Sequence, residues 1–261
     1  MAPFDVVVIG GGVSGLAAAW QLTRAGRALS ICVYDAAPVP GGKLASGVVA
    51  GHRIDIGAES MLARRPEAVG LVEEAGLAGG LTHPDVTAAS VYSRGRLWPL
   101  PPRTLMGIPS DPETTRGLLT DAEVARIYAE PAHPEPVSSD ISVGDLVAGR
   151  LGTAVLDRLV EPLLAGVYAG SARRISAAAS LPAFYAAAAS GHGLVATAAE
   201  LARASATDPR PVFAGYAGGL GLLAEHLAAR LEAAGVEIRC GAHVEGLRPR
   251  PGGWSVSAIS G

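Results

Sequence analysis

Apolar positions near the N-terminus fall into two unlike patterns. Residues 5–9 are a short β-branched run without polar alternation, as expected of a strand buried on both faces in a parallel sheet. Across 13–25, Leu16, Ala17, Trp20 and Leu22 sit among good helix formers, and Gly26 stands where a helix would stop. Residues 29–34 return to the buried-strand pattern. Strand, helix and strand in this order predict a right-handed crossover unit with parallel strands. A double glycine and turn-rich sequence follow as far as Ser60, and 65–75 resumes a helical pattern.

Prolines punctuate 99–112 and again 131–136, marking changes of architecture. Helical patterns at 115–128, 143–150, 153–159 and 177–189 make the middle of the chain mainly helical. A further helix is expected over 218–234, with Leu222, Leu223, Leu227 and Leu231 on one face, followed by strands at 236–239 and 254–259. Residues 175–199 carry no formal charge apart from the option on His192 and are long enough to span a bilayer. Pro182, Gly191 and Gly193 interrupt that stretch, and alanine drives insertion weakly, so a buried helical pair is predicted instead.

Composition narrows the function classes. A net charge of −3 with both signs interspersed gives no electrostatic footprint for nucleic acid and no polybasic segment for anionic lipid. Cys32 and Cys240 lack CxxC or histidine-rich surroundings, which points to reduced thiols, a cytoplasmic setting and no metal. The six histidines are scattered without metal-ligand spacing.

The chemistry is concentrated near the N-terminus. Gly10, Gly12 and Gly15 form G-x-G-x-x-G where the first strand hands over to the helix, the context in which the motif carries meaning. One glycine makes the tight turn, one lets backbone approach a pyrophosphate, and one permits close packing of helix on strand. Gly11, Val13 and Ser14 complete the loop. Asp35 ends the second strand about 20 residues further on, where a carboxylate accepts hydrogen bonds from ribose hydroxyls. The same charge disfavours the ribose phosphate of NADP and leaves NAD and FAD open. Two further backbone-exposing loops, Gly41-Gly42-Lys43-Leu44 and Asp55-Ile56-Gly57-Ala58-Glu59-Ser60, suit the longer of the two.

These residues resemble the superfamily of monoamine oxidases and phytoene desaturases. Within it, Met106-Gly107-Ile108-Pro109, Ser142 to Asp145 with Arg150-Leu151-Gly152, and the segment from Glu161 to Gly170 resemble the porphyrinogen oxidases of haem biosynthesis. The resemblance extends over essentially the whole chain. It implies an α/β, Rossmann-like FAD-binding domain with an inserted, mainly helical domain. On this basis 1–62 is the FAD-binding βαβ unit with its loops, and 63–100 is part of a substrate-binding domain. Residues 101–210 form a helical substrate or membrane-associated region, and 211–261 return to the FAD-binding domain.

By the same resemblance Gly10 to Gly15, Asp35, Ala36, Gly42, Lys43, Gly57, Ala58, Glu59 and Ser60 should contact FAD, with Val244 near the adenine. Asp35 stands where the family usually has glutamate, and Ser171 where aspartate is common. Nothing after Trp254 resembles the family's C-terminal flavin-closing segment, so the chain looks like the N-terminal portion of such an enzyme.

The implied reaction is oxidation of a porphyrinogen, coproporphyrinogen III or protoporphyrinogen IX, to the porphyrin, with O2 as electron acceptor. The chemistry belongs mainly to the cofactor and no catalytic acid or base is assigned. Arg94 or Arg96, beside Trp98 on an expected hairpin, offers a cation for substrate propionates, against the alternative of a solvated turn. Peripheral contact with the inner face of a membrane and contact with a later haem-pathway enzyme are further implications. Another flavin amine oxidase or carotenoid desaturase, and a non-catalytic FAD-binding fragment, stay open as alternatives.

Overall fold

A computed structural model describes residues 3–86 and 88–260. The chain divides into two compact units, one formed by 1–85 with 210–261 and the other by 86–209.

The first unit is built on a parallel sheet in the order Val6–Ile9, Ile31–Tyr34, Glu237–Arg239. Val6 registers with Ile31, and Glu237 with Cys32. Ile31, Cys32 and Val33 are buried because the central strand is covered on both faces, which explains its lack of polar alternation. Helices Val13–Thr23 and Leu220–Ala233 supply Leu16, Ala19, Ala224, Leu227 and Leu231 to one core with Ile31 and Val33. A second sheet has Phe213–Tyr216 between Met61–Leu62 and Leu81–Thr82, all antiparallel, with helix Pro66–Glu74 in the intervening chain. Two hairpins, Ser46–Val49 with His52–Asp55 and Ala242–Arg250 with Gly253–Ser260, complete the unit.

The second unit is mainly helical around one core that includes Ile108, Leu146, Leu159, Leu164, Phe184 and Leu194. Its helices depart from simple periodicity where local chemistry intervenes. The expected helix over 115–128 begins only at Asp121, because Gly117 adopts φ 90° and Thr120 caps Asp121–Tyr128 in a reciprocal box with Glu123. The expected 153–159 helix runs on instead. Thr153–Val155 passes through a π-type turn at Leu156–Val160 into Glu161–Tyr168. Pro162 lacks an N–H and its ring crowds the preceding turn, which the wider π geometry relieves. The expected 177–189 helix is broken at Leu181, which leaves helical dihedrals before Pro182 and separates Ala177–Ser180 from Pro182–Ala189. With Leu194–Ala206 following, 175–199 is a set of short helices, and among the described residues no helix is long and apolar enough to cross a membrane.

Candidate cofactor site

The turn out of the first strand depends on backbone freedom. Gly10 adopts φ 104° and its N–H donates to the Tyr34 carbonyl at 2.7 Å. At Gly15 a Cβ would lie 1.8 Å from the Gly10 carbonyl oxygen, so strand and helix approach only because that atom is absent. Gly12 is the N-cap of helix Val13–Thr23 and has no side chain to satisfy its first-turn amides. Val13 and Ser14 are exposed at this positively polarised end, which suits an anionic pyrophosphate.

Asp35 ties this turn to the sheet. Its Oδ2 accepts from the Gly11 N–H at 2.5 Å and its Oδ1 from the Ala37 N–H at 2.7 Å. The carboxylate therefore holds the glycine loop from below while remaining only partly buried, and each oxygen keeps a lone pair for a ribose hydroxyl. Ala36 is exposed beside it. The Gly241 N–H donates to the Ala37 carbonyl at 2.7 Å and the Ala242 N–H to the Asp35 carbonyl at 2.9 Å, which brings half-buried Val244 to the same end. Burial, followed by the charge of Asp35, pushes the Cys240 thiol up, so this neighbour stays protonated.

The other two loops join the first. The Gly41 N–H donates to the Gly11 carbonyl at 2.9 Å, and a Cβ on Gly42 would come within 3.0 Å of the Gly12 Cα. The Ala58 N–H donates to the Lys43 carbonyl at 2.9 Å, and a Cβ on Gly57 would sit 2.0 Å from that same oxygen. Lys43, Ala58, Glu59 and Ser60 are exposed along the result. Three stretches distant in sequence thus form one backbone-rich cradle, and the absence of Cβ atoms where the loops cross is what lets them pack so closely.

Sequence reasoning passed over Asp55. Its carboxylate accepts from the Leu220 N–H at 2.8 Å and the Gly221 N–H at 3.1 Å, capping the helix Leu220–Ala233. The N-cap of that helix is Gly219, which has no capping side chain, and this was the signal that a cap had to come from elsewhere.

Arg94 and Arg96 lie in the helical unit, on the hairpin Ser90–Ser93 with Arg96–Pro99. Arg94 occupies the turn at φ 53° and pairs with Glu123 at 2.8 Å, while the Arg96 guanidinium stacks 3.5 Å over the Trp98 ring. Tyr168 is half-exposed at the end of Glu161–Tyr168, its hydroxyl donating to the Ser180 carbonyl at 3.2 Å. His83 and His226 meet the Phe213 carbonyl and the Tyr216 hydroxyl through Nδ1. Among the described residues no group of three or more His, Cys, Asp or Glu is placed to hold a metal.

The coproporphyrinogen III oxidase of Mycobacterium tuberculosis strain H37Rv is 39% identical over 265 residues, covering 99% of this chain and 58% of that protein. The coproporphyrinogen III oxidase of Mycobacterium leprae is 45% identical over 179 residues, covering 67% of this chain and 40% of its own length. A crystal structure of a protein assigned as a protoporphyrinogen oxidase, from Exiguobacterium sp. 255-15, superposes with a TM-score of 0.79 at 31% identity, over 97% of this chain and 55% of that one. The match therefore spans a little over half the length of the Mycobacterium tuberculosis and Exiguobacterium proteins and 40% of the Mycobacterium leprae protein. Residues 13–261 match the family of flavin containing amine oxidoreductases, and the chain belongs to that family.

Proposed function

We propose that this chain carries the FAD-binding and helical portions of a porphyrinogen oxidase acting in haem biosynthesis, with coproporphyrinogen III as substrate. The observation that carries the reading is the 39% identity to a coproporphyrinogen III oxidase over 99% of the chain, on a fold whose glycine loops converge into a dinucleotide cradle.

In this reading the first-turn amides of Val13 and Ser14 hold the pyrophosphate, and Asp35 accepts the adenosine ribose. Gly42, Lys43 and Gly57 to Ser60 line the path toward the flavin, and the backbone near Val244 meets the adenine. When bound, FAD would supply two-electron oxidation steps, three of which take a porphyrinogen to the porphyrin, with O2 accepting the electrons and leaving as hydrogen peroxide. The protein's own contribution is position and exclusion of water. Arg96, its charge presented above Trp98, is the better placed cation for a propionate, because Arg94 is already held by Glu123. Unchanged substrate saturation after replacement of both arginines would remove that assignment. Contact with a membrane surface and with a later haem-pathway enzyme belong to the same reading and rest on the resemblance alone.

The test is porphyrin fluorescence. Purified protein supplied with FAD is mixed with coproporphyrinogen III in air, with spontaneous oxidation subtracted. A rate that requires both protein and FAD is expected. Folded, FAD-loaded protein without such a rate would show that the activity needs residues beyond these 261.

A further inference from the structure

Beneath the cradle the first unit contains a cavity of about 160 Å³. Its buried wall is formed by Leu16, Ala224 and Leu227, from the helices that flank the parallel sheet. Its exposed lining residues are Val13, Ala58 and Ser60, which belong to two of the loops assigned above to the cofactor. Ser60 is the sole residue with a polar side chain among those lining it. The cavity opens to solvent on the side of Val13, Ala58 and Ser60, so water finds partners only at that mouth, while the inner wall offers none and suits a small apolar molecule, as apolar cavities of about 150 Å³ take up benzene or xenon. Empty space of this size between Leu16, Val72 and Leu223 also forgoes dispersion contacts that a larger residue at Ala68 or Ala224 would recover.

We propose that this cavity is a binding site for small apolar molecules and that in the flavin-loaded protein it holds dioxygen beside the cofactor loops. The inference rests on the flavin oxidase reading for the identity of the gas. The chemistry of the cavity stands apart from that reading. Dioxygen is apolar, is small enough to share this space with flexible side chains, and is the one substrate of the proposed reaction that gains from leaving water without needing a hydrogen bond. A cavity bounded on one side by buried leucines and on the other by Val13 and Ser60 raises the local concentration of such a molecule beside the loops assigned to the cofactor.

The experiment has two arms. Crystals of this protein pressurised with xenon should show a bound atom between Leu16, Val72 and Leu223, and the Ala68→Leu variant, which projects into the same space, should lose it. Ala68→Val is the milder filler should the leucine disturb folding. In the second arm the wild type and the filled variant are loaded with FAD, reduced anaerobically and mixed with O2. Reoxidation should slow severalfold in the variant while FAD affinity and the rate of reduction stay unchanged. Absence of xenon, flavin density inside the cavity, or equal reoxidation rates would each overturn the proposal. Failure of the wild type to bind flavin would instead overturn the reading on which the identity of the gas rests, and the xenon result would still decide whether the cavity takes apolar molecules.

Discussion

A single methyl group at position 15 would meet the Gly10 carbonyl oxygen at 1.8 Å, a distance that backbone must move to relieve. Gly15→Ala is therefore expected to cost about 1–3 kcal/mol, as overpacking at a rigid contact does, and to lower the urea midpoint accordingly. Asp35 acts differently, since it holds the loop through the Gly11 and Ala37 amides. Hydrogen bonds to a charged acceptor contribute about 1.5–3 kcal/mol each, so Asp35→Ala should weaken FAD binding about tenfold or more in a fluorescence titration. Affinity unchanged in that variant would mean that the ribose and the loop do not depend on the carboxylate. The glycine positions were legible in the sequence because each answers a local steric demand of one motif. The role of Asp55 was not, because the helix it caps begins 165 residues later, and Gly219 at the helix start shows that a cap is needed without showing which distant residue supplies it.

Helix starts in the second unit follow capping chemistry more closely than hydrophobic periodicity. Periodicity placed a helix at 115–128, yet the chain turns helical only after Thr120, whose box with Glu123 satisfies amides that Gly117 and its neighbours could not. Glu123 also joins Arg158 and Arg94. Burial alone would raise its carboxyl, but the Thr120 N–H and the Arg158 guanidinium outweigh that and hold it at about 2, against an ordinary value of 4.5. A carboxyl lowered on folding contributes stability that is complete above pH 4.5 and is lost as pH falls toward 2, where the folded form also protonates. Urea midpoints should therefore fall between pH 4.5 and pH 2 more steeply in the wild type than in Glu123→Gln, which starts lower at neutral pH. Parallel curves would show that other carboxyls govern acid unfolding. The π-type turn before Pro162 belongs to the same scale: the helix expected over 153–159 continues through it to Tyr168, and Pro162 is absorbed by widening one turn.

On the scale of the molecule, the first unit is discontinuous in sequence, and the two places where the chain leaves and re-enters it are neighbours within that unit. Leu81–Thr82 pairs with Gly215–Tyr216, and the His83 Nδ1 lies 2.9 Å from the Phe213 carbonyl oxygen. This crossing has no composition signal, because the strands that make it are two to four residues long and gain their order from partners more than 100 residues away. The proline clusters that do stand out at 99–112 and 131–136 lie inside the helical unit, where Pro99 and Pro109 end short strands and Pro112 opens a 3-10 turn. The cradle loops, their glycine contacts and the Asp35 clamp are all made by residues of the first unit, as are its cores. Replacing 86–209 by a flexible linker of about eight Gly and Ser residues, long enough to rejoin adjacent strands, should therefore leave a folded α/β protein that binds ADP. Circular dichroism and calorimetric titration with ADP would read both properties. Folding without ADP binding would mean that the cradle takes its shape from the helical unit. Loss of folding would mean that the buried surface of the first unit does not suffice to offset its chain entropy alone.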